Sequence, residues 1–197
     1  MIGILLAFLS GTFYSLNYIF LQMGMRYSKQ DDNGLFINLA FNVIFLGILY
    51  VIIVVVRQDP LEWSIYGVLA FIVAGLLSSF FGRGTLFSGI RRIGSSRAVG
   101  IKNSAPVVTI LIAVLFLGES LTIWSGLGML IILLGLFFFI REQWFSPGTQ
   151  QKGGWTGFLL AGISAFCFGM GQAFRKIGVQ YLPDPVLGSL IGTCVAL

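Results

Sequence analysis

Long apolar runs, each bounded by charged or turn-forming residues, follow one another from the second residue of the chain almost to its end. They fall near Ile2 to Met25, Leu35 to Val56, Trp63 to Ile90, Ala98 to Leu117, Leu121 to Ile140 and Trp155 to Phe174, and a seventh begins near Pro185. A helix needs roughly 20 apolar residues to cross a hydrocarbon slab about 30 Å thick, so the pattern predicts a series of membrane-spanning helices. The polar breaks are short: Ser28 to Gly34, Arg57 to Pro60 and Arg91 to Arg97. Gly118-Glu119-Ser120 is shorter still and leaves room only for an antiparallel hairpin. The longest break, Arg141 to Gly154, carries Pro147, Gly148, Gly153 and Gly154. It predicts an aqueous linker, 141–154, between a first unit, 1–140, and the start of a second, 155–197.

Composition points the same way, with 57% apolar and 10% charged residues, far more apolar surface than a water-soluble core can use. No charge precedes Arg26, so the first run reads as a retained helix rather than a cleaved signal peptide. The net charge of +5 suits basic loops, and without a basic helix interleaved with aromatics no nucleic-acid partner is expected. Histidine is absent, and Cys167 and Cys194 both lie inside apolar runs, so no metal site and no cofactor are expected. With no acid in mid-helix either, the residue pairs of an intramembrane enzyme are missing, and no catalytic residue is predicted.

The two sides of the linker resemble each other. At a constant offset of 154, Gly3, Leu5, Leu6, Ala7, Ser10, Phe20, Gly24 and Tyr27 recur as Gly157, Leu159, Leu160, Ala161, Ser164, Phe174, Gly178 and Tyr181. The match continues through Gly34/Gly188 and Ile37/Ile191 without a gap. Small residues also repeat every four positions, at Gly3, Ala7, Gly11 and Ser15 in the first helix and at Gly157, Ala161, Ala165, Gly169 and Ala173 in the sixth. Such faces let helix backbones approach closely in lipid, so both helices are expected to make similar packing contacts. A unit of five helices is odd, so a second copy enters from the opposite side, as in inverted-repeat transporters. The seventh run reaches only about 13 residues by Leu197, and the second unit is therefore expected to be a truncated start.

Gly94-Ser95-Ser96-Arg97-Ala98, Ser104-Ala105-Pro106-Val107, Leu115-Phe116-Leu117-Gly118-Glu119-Ser120-Leu121, Gly126-Leu127-Gly128 and Gly135 follow in order. Together they resemble the drug/metabolite transporter superfamily, specifically its EamA-like domain. The resemblance covers Met1 to Ile140 as one unit and Trp155 to Leu197 as the opening of another. It implies an all-α membrane protein with ten helices when complete and a substrate cavity between two five-helix halves. The implied activity is that of a secondary transporter, a permease or exporter of small metabolites in the plasma membrane, working by alternating access. Its partners would be a small-molecule substrate and the lipid bilayer, with room for a homodimer. A cytoplasmic amino terminus is also implied, although the loop charges alone favour the reverse. A non-transporting membrane scaffold or channel subunit is the alternative that a single five-helix half leaves open.

Polar side chains at membrane depth are costly unless they face a cavity or a partner, which makes them the candidates for a substrate path. In the first helix Tyr14, Tyr18 and Gln22 recur every four residues with Asn17 beside them, a stripe set apart from the small-residue ladder. Asn38 and Asn42 make a similar pair in the second helix, where bonding between helices is expected. Lys102 and Asn103 lie next to Pro106, which removes a backbone hydrogen bond and can open the fourth helix, while Lys102, one to two turns from the helix start, can equally snorkel to the interface. Arg83 falls 20 residues after Trp63, placing it near the far interface as a cavity-mouth residue. The candidate substrate-binding set is thus Tyr14, Asn17, Tyr18, Arg83, Lys102 and Asn103. Arg175 and Lys176 read as interfacial anchors ending the sixth helix. Every carboxylate, from Asp31 and Asp32 to Asp59, Glu62, Glu119, Glu142 and Asp184, falls in a loop or at a helix end. Proton-coupled export of cations gains no support, and Arg83 with Lys102 favours an anionic or zwitterionic metabolite.

Overall fold

A computed structural model describes residues 2–27, 34–57, 64–118, 120, 122–145 and 154–197. They form α1 (Ile2–Tyr27), α2 (Gly34–Arg57), α3 (Ile65–Gly75), a π-helical segment (Leu76–Gly82), α4 (Arg83–Ile93), α5 (Ser95–Lys102), α6 (Ala105–Leu117), α7 (Ile123–Phe145), α8 (Gly154–Tyr181) and α9 (Pro185–Val195). No strand occurs among the described residues. Four helices are long and apolar enough to cross a membrane: Phe36–Val56, Ile65–Ile93, Ser95–Phe116 and Trp155–Tyr181. The second of these joins α3, the π segment and α4; the third joins α5 and α6. α1 has 26 residues, and at 1.5 Å per residue it too is long enough to span. The chain is an all-α integral membrane protein.

Local chemistry sets the helix ends. Gly94 (φ 85°) and Gly118 (φ 66°) take up positive φ where the chain leaves α4 and α6, a conformation open to glycine. Glu119, in the hairpin after α6, lies outside the described residues. Pro106 has no N–H, and the fourth span breaks just before it, at Asn103 and Ser104. There the Ser104 N–H turns to the Ile101 carbonyl at 3.0 Å, and its hydroxyl donates to the same oxygen at 2.7 Å. Asp184 caps α9, its Oδ1 accepting from the Val186 and Leu187 N–H groups at 3.0 Å, while Pro185 needs no acceptor.

α8 is the central helix. It packs against α3, the π segment, α4, α5 and α6, while α9 lies on α3 and α2. Its glycines explain how: a Cβ on Gly157 would strike the Ile93 side chain, and one on Gly169 would fall 2.9 Å from the Ala105 carbonyl. Ala161 is fully buried, as is Ser164. The corresponding face of α1 behaves differently. A Cβ on Gly3 or Gly11 would meet nothing within 4 Å, and Ser15 is exposed. The expectation that both ladders pack alike is therefore corrected: a small-residue face is only permissive, and on α1 no described helix approaches it. The outer faces of α2, α6 and α7 carry exposed apolar side chains such as Val56, Phe116 and Ile131, as lipid contact requires.

The Ser164 hydroxyl donates to the Gly82 carbonyl at 2.9 Å, tying α8 to the end of the π segment. Interhelical bonds of this kind in membranes contribute about 0.6 kcal/mol on average and at most about 1.7 kcal/mol. Ser164→Ala is expected to lower stability within that range, measured as the midpoint of a detergent-unfolding titration. A loss of several kcal/mol would show that the hydroxyl holds more than this one carbonyl.

Candidate functional site

The polar residues within the apolar helices come from α1, α2, α4, α5 and α8. On the third span, Arg83 follows the π segment and begins α4, about 15 Å from the helix end at Ile93. The sequence reading put Arg83 near an interface. The helix continues past it to Ile93. Its Nη1 donates to Asn38 Oδ1 of α2 at 2.8 Å. Asn42 holds Asn38 in turn, Nδ2 donating to the Asn38 carbonyl at 2.7 Å. Asn38 thus bonds between helices, whereas Asn42 bonds within its own.

Lys102 closes α5, just before the break ahead of Pro106. Its Nζ lies 4.9 Å from the Phe168 ring centroid on α8 and 5.8 Å from that of Tyr18 on α1. Both are within cation–π range. Tyr18 also packs against the buried cluster of Leu86, Ile90, Ala98 and Ile101, which anchors this part of α1 on α4 and α5. Arg83 is within electrostatic reach of Tyr18, Lys102 and Arg175, and Tyr14 is within reach of Tyr18 and Arg175.

Tyr18, Arg83 and Lys102 are therefore brought together, with Tyr14 alongside. Asn17 lies on the exposed part of α1. Asn103 is turned away from Lys102 and lines a cleft of about 300 Å³ with Gly100, Ser104 and, on α7, Gly135 and Phe139. A larger cleft of about 540 Å³ runs between Ile101 and the α8 residues Trp155, Phe158, Leu159 and Phe166. Its lining is apolar, and it is suited to hydrocarbon rather than to a polar solute.

Arg175 is a residue that the sequence reading placed elsewhere. The sixth apolar run was ended at Phe174 because two charges follow, but α8 continues to Tyr181. Arg175 is half-buried on that helix, while Lys176 is exposed. Phe168 went unremarked as well. The repeat register would have pointed to it: at the offset of 154 it is the counterpart of Tyr14, and Gln172 is the counterpart of Tyr18.

The arrangement can hold an anion. Three cations from α4, α5 and α8 are gathered with tyrosine hydroxyls, and the two carboxylates among the described residues lie apart from them. Asp184 caps α9, and Glu142 is exposed in the C-terminal part of α7. Neither the curated proteins nor the solved structures contain a match to the chain. The model of the EamA-like transporter family, in contrast, matches residues 1–141, nearly three quarters of the sequence. On that match and on its apolar helices, this integral membrane protein belongs to the EamA-like transporter family.

Proposed function

We propose that the protein is a secondary transporter of small anionic or zwitterionic metabolites across the plasma membrane. It works by alternating access between two inverted five-helix halves, the first built from α1 to α7. Tyr14, Asn17, Tyr18, Arg83, Lys102 and Asn103 belong to the substrate path, with Asn103 on its α7 side. The observation that carries the reading is the meeting of Lys102, Tyr18 and Phe168 from three helices beside Arg83. A cation at the centre of a membrane helix costs about 2.5–3.5 kcal/mol on insertion scales. A purely structural role would be served better by a carboxylate partner than by rings and an asparagine. A path for anions gives the cost a purpose.

Single cysteines test this once Cys167 and Cys194 are replaced by serine. Cysteine at Tyr14 or Asn17 is expected to react with water-soluble thiosulfonates, several-fold faster with an anionic reagent than with a cationic one. Lys102→Gln narrows that preference. Cysteine at Gly11, on the small-residue face, is expected to stay unreactive. Equal reactivity on both faces, or a preference for the cationic reagent, overturns the proposal.

A further inference from the structure

We propose that Arg175 completes a three-cation site with Arg83 and Lys102, and that the site takes a small dianion rather than a monoanion or a zwitterion. The inference rests on the anion-transport reading above and narrows its substrate class.

Several observations meet on Arg175. α8 continues past it to Tyr181, so the residue lies on the helix and not at its frayed end. Phe168, Gln172 and Arg175 follow at i, i+4 and i+7 and share one face of α8. That face is the one turned to the site: Phe168 lies against Lys102 Nζ at 4.9 Å, and its ring stands 3.2 Å from where a Cβ on Gly82, the neighbour of Arg83, would sit. Arg175 therefore stands about 10 Å along α8 from the Lys102 contact, two helical turns away. Neighbouring positions pack closely, with Ala173 buried and Gly171 against the Ala74 carbonyl and Ser78, while Gln172 on the shared face is exposed and Arg175 half-buried. Arg83 and Tyr14 are within electrostatic reach.

The charge count then selects the ligand. Three cations repel one another in a medium of low dielectric; of the side-chain carboxylates among the described residues, Asp184 caps α9 and Glu142 is exposed on α7. A zwitterion adds no net charge, and a monoanion leaves two positive charges uncompensated. A dianion leaves one. The separation along α8 also offers two anchoring points, Lys102 with Arg83 at one and Arg175 at the other, which one carboxylate cannot occupy together.

The test uses matched pairs of probes with the protein in lipid nanodiscs at pH 7.5, with binding read from the rise in melting temperature with concentration. The pairs are succinate with monomethyl succinate, and glycerol phosphate with its methyl diester. Each dianion is expected to bind about tenfold more tightly than its monoanionic mate, the loss that goes with one charged hydrogen-bonding partner. Whichever pair shows the larger difference identifies the dianion as dicarboxylate or phosphate ester. Arg175→Gln removes the difference by weakening the dianion alone, Arg175→Lys restores most of it, and Lys176→Gln leaves it unchanged. Should Arg175→Gln not melt cooperatively, Arg175→Met, which keeps an apolar stem, reads the same loss. Equal binding within both pairs overturns the dianion inference, as does a preference that survives the loss of Arg175. In either case the anion-transport reading stands so long as Lys102→Gln weakens every anion. If no anion binds and Lys102→Gln changes nothing, both fall.

Discussion

Lys102→Gln is expected to cut the uptake of small anions into proteoliposomes by roughly two orders of magnitude, with the protein still folded. Removing one member of a desolvated charge pair costs about 2–5 kcal/mol, and each 1.4 kcal/mol is about tenfold in rate at low substrate concentration. The folded state loses much less. Lys102 is held by the rings of Tyr18 and Phe168, contacts that contribute about 0.5–2 kcal/mol, and the glutamine stem still fills the space between them. Lys102→Arg keeps the charge but changes its shape, and an intermediate rate is expected. Unchanged initial rates in Lys102→Gln, with a normal melting curve, would mean that the ammonium only reaches for the interface and that the path lies elsewhere.

Gly75→Leu is expected to leave no folded protein. A Cβ on Gly75 would land on the backbone of Gly192, so α3 and α9 cross with no room for a side chain between them. The obstacle is main chain and cannot rotate aside. Even Gly75→Ala must push the helices apart, at about 1–3 kcal/mol by the measure of overpacked cores. The leucine would also separate Phe71 from Leu182 and Leu187, the buried cluster next to the crossing. Gly11→Ala supplies the contrast. Nothing lies within 4 Å of its added methyl, and the removal of a helical glycine contributes about 0.5–1 kcal/mol in the favourable direction. Size-exclusion profiles and melting curves of the three variants would decide the matter. A Gly75→Leu protein that melts like the wild type, or a Gly11→Ala protein damaged as badly as Gly75→Ala, would refute this account of the packing.

The two glycines also mark where sequence reading succeeds and where it stops. Apolar runs located most helix ends to within a few residues, because a span must fill the bilayer and lipid tolerates no unpaired backbone. The end of the sixth run was misplaced for an instructive reason. Charges normally mark the interface and so point to a terminus at Phe174, whereas α8 continues through Arg175 to Tyr181. Pro106 announced the break in the fourth span, since a missing N–H is a local property. The π segment had no such mark. Its bounds, Leu76–Gly82, adjoin the bond from Ser164 to the Gly82 carbonyl, which joins residues 82 positions apart.

Lys102 and Arg83 could be named from the sequence because an ionisable residue in an apolar run is conspicuous wherever the run folds. Their partners could not. Phe168 is marked only as the repeat counterpart of Tyr14, and its contact with Lys102 follows from placing α8 beside α5.

The sequence by itself determined the helices and the family signature, and it carries the repeat and the polar stripe on α1 as patterns, because each depends on neighbours along one chain segment and on the fixed thickness of a bilayer. Only the tertiary structure decided that α8 lies at the centre, that its small-residue face is filled while the matching face of α1 is open, and that Arg175 lies within α8 rather than at its end. These depend on which helix stands opposite which, and two faces with the same letters carry no record of their neighbours until the chain has packed.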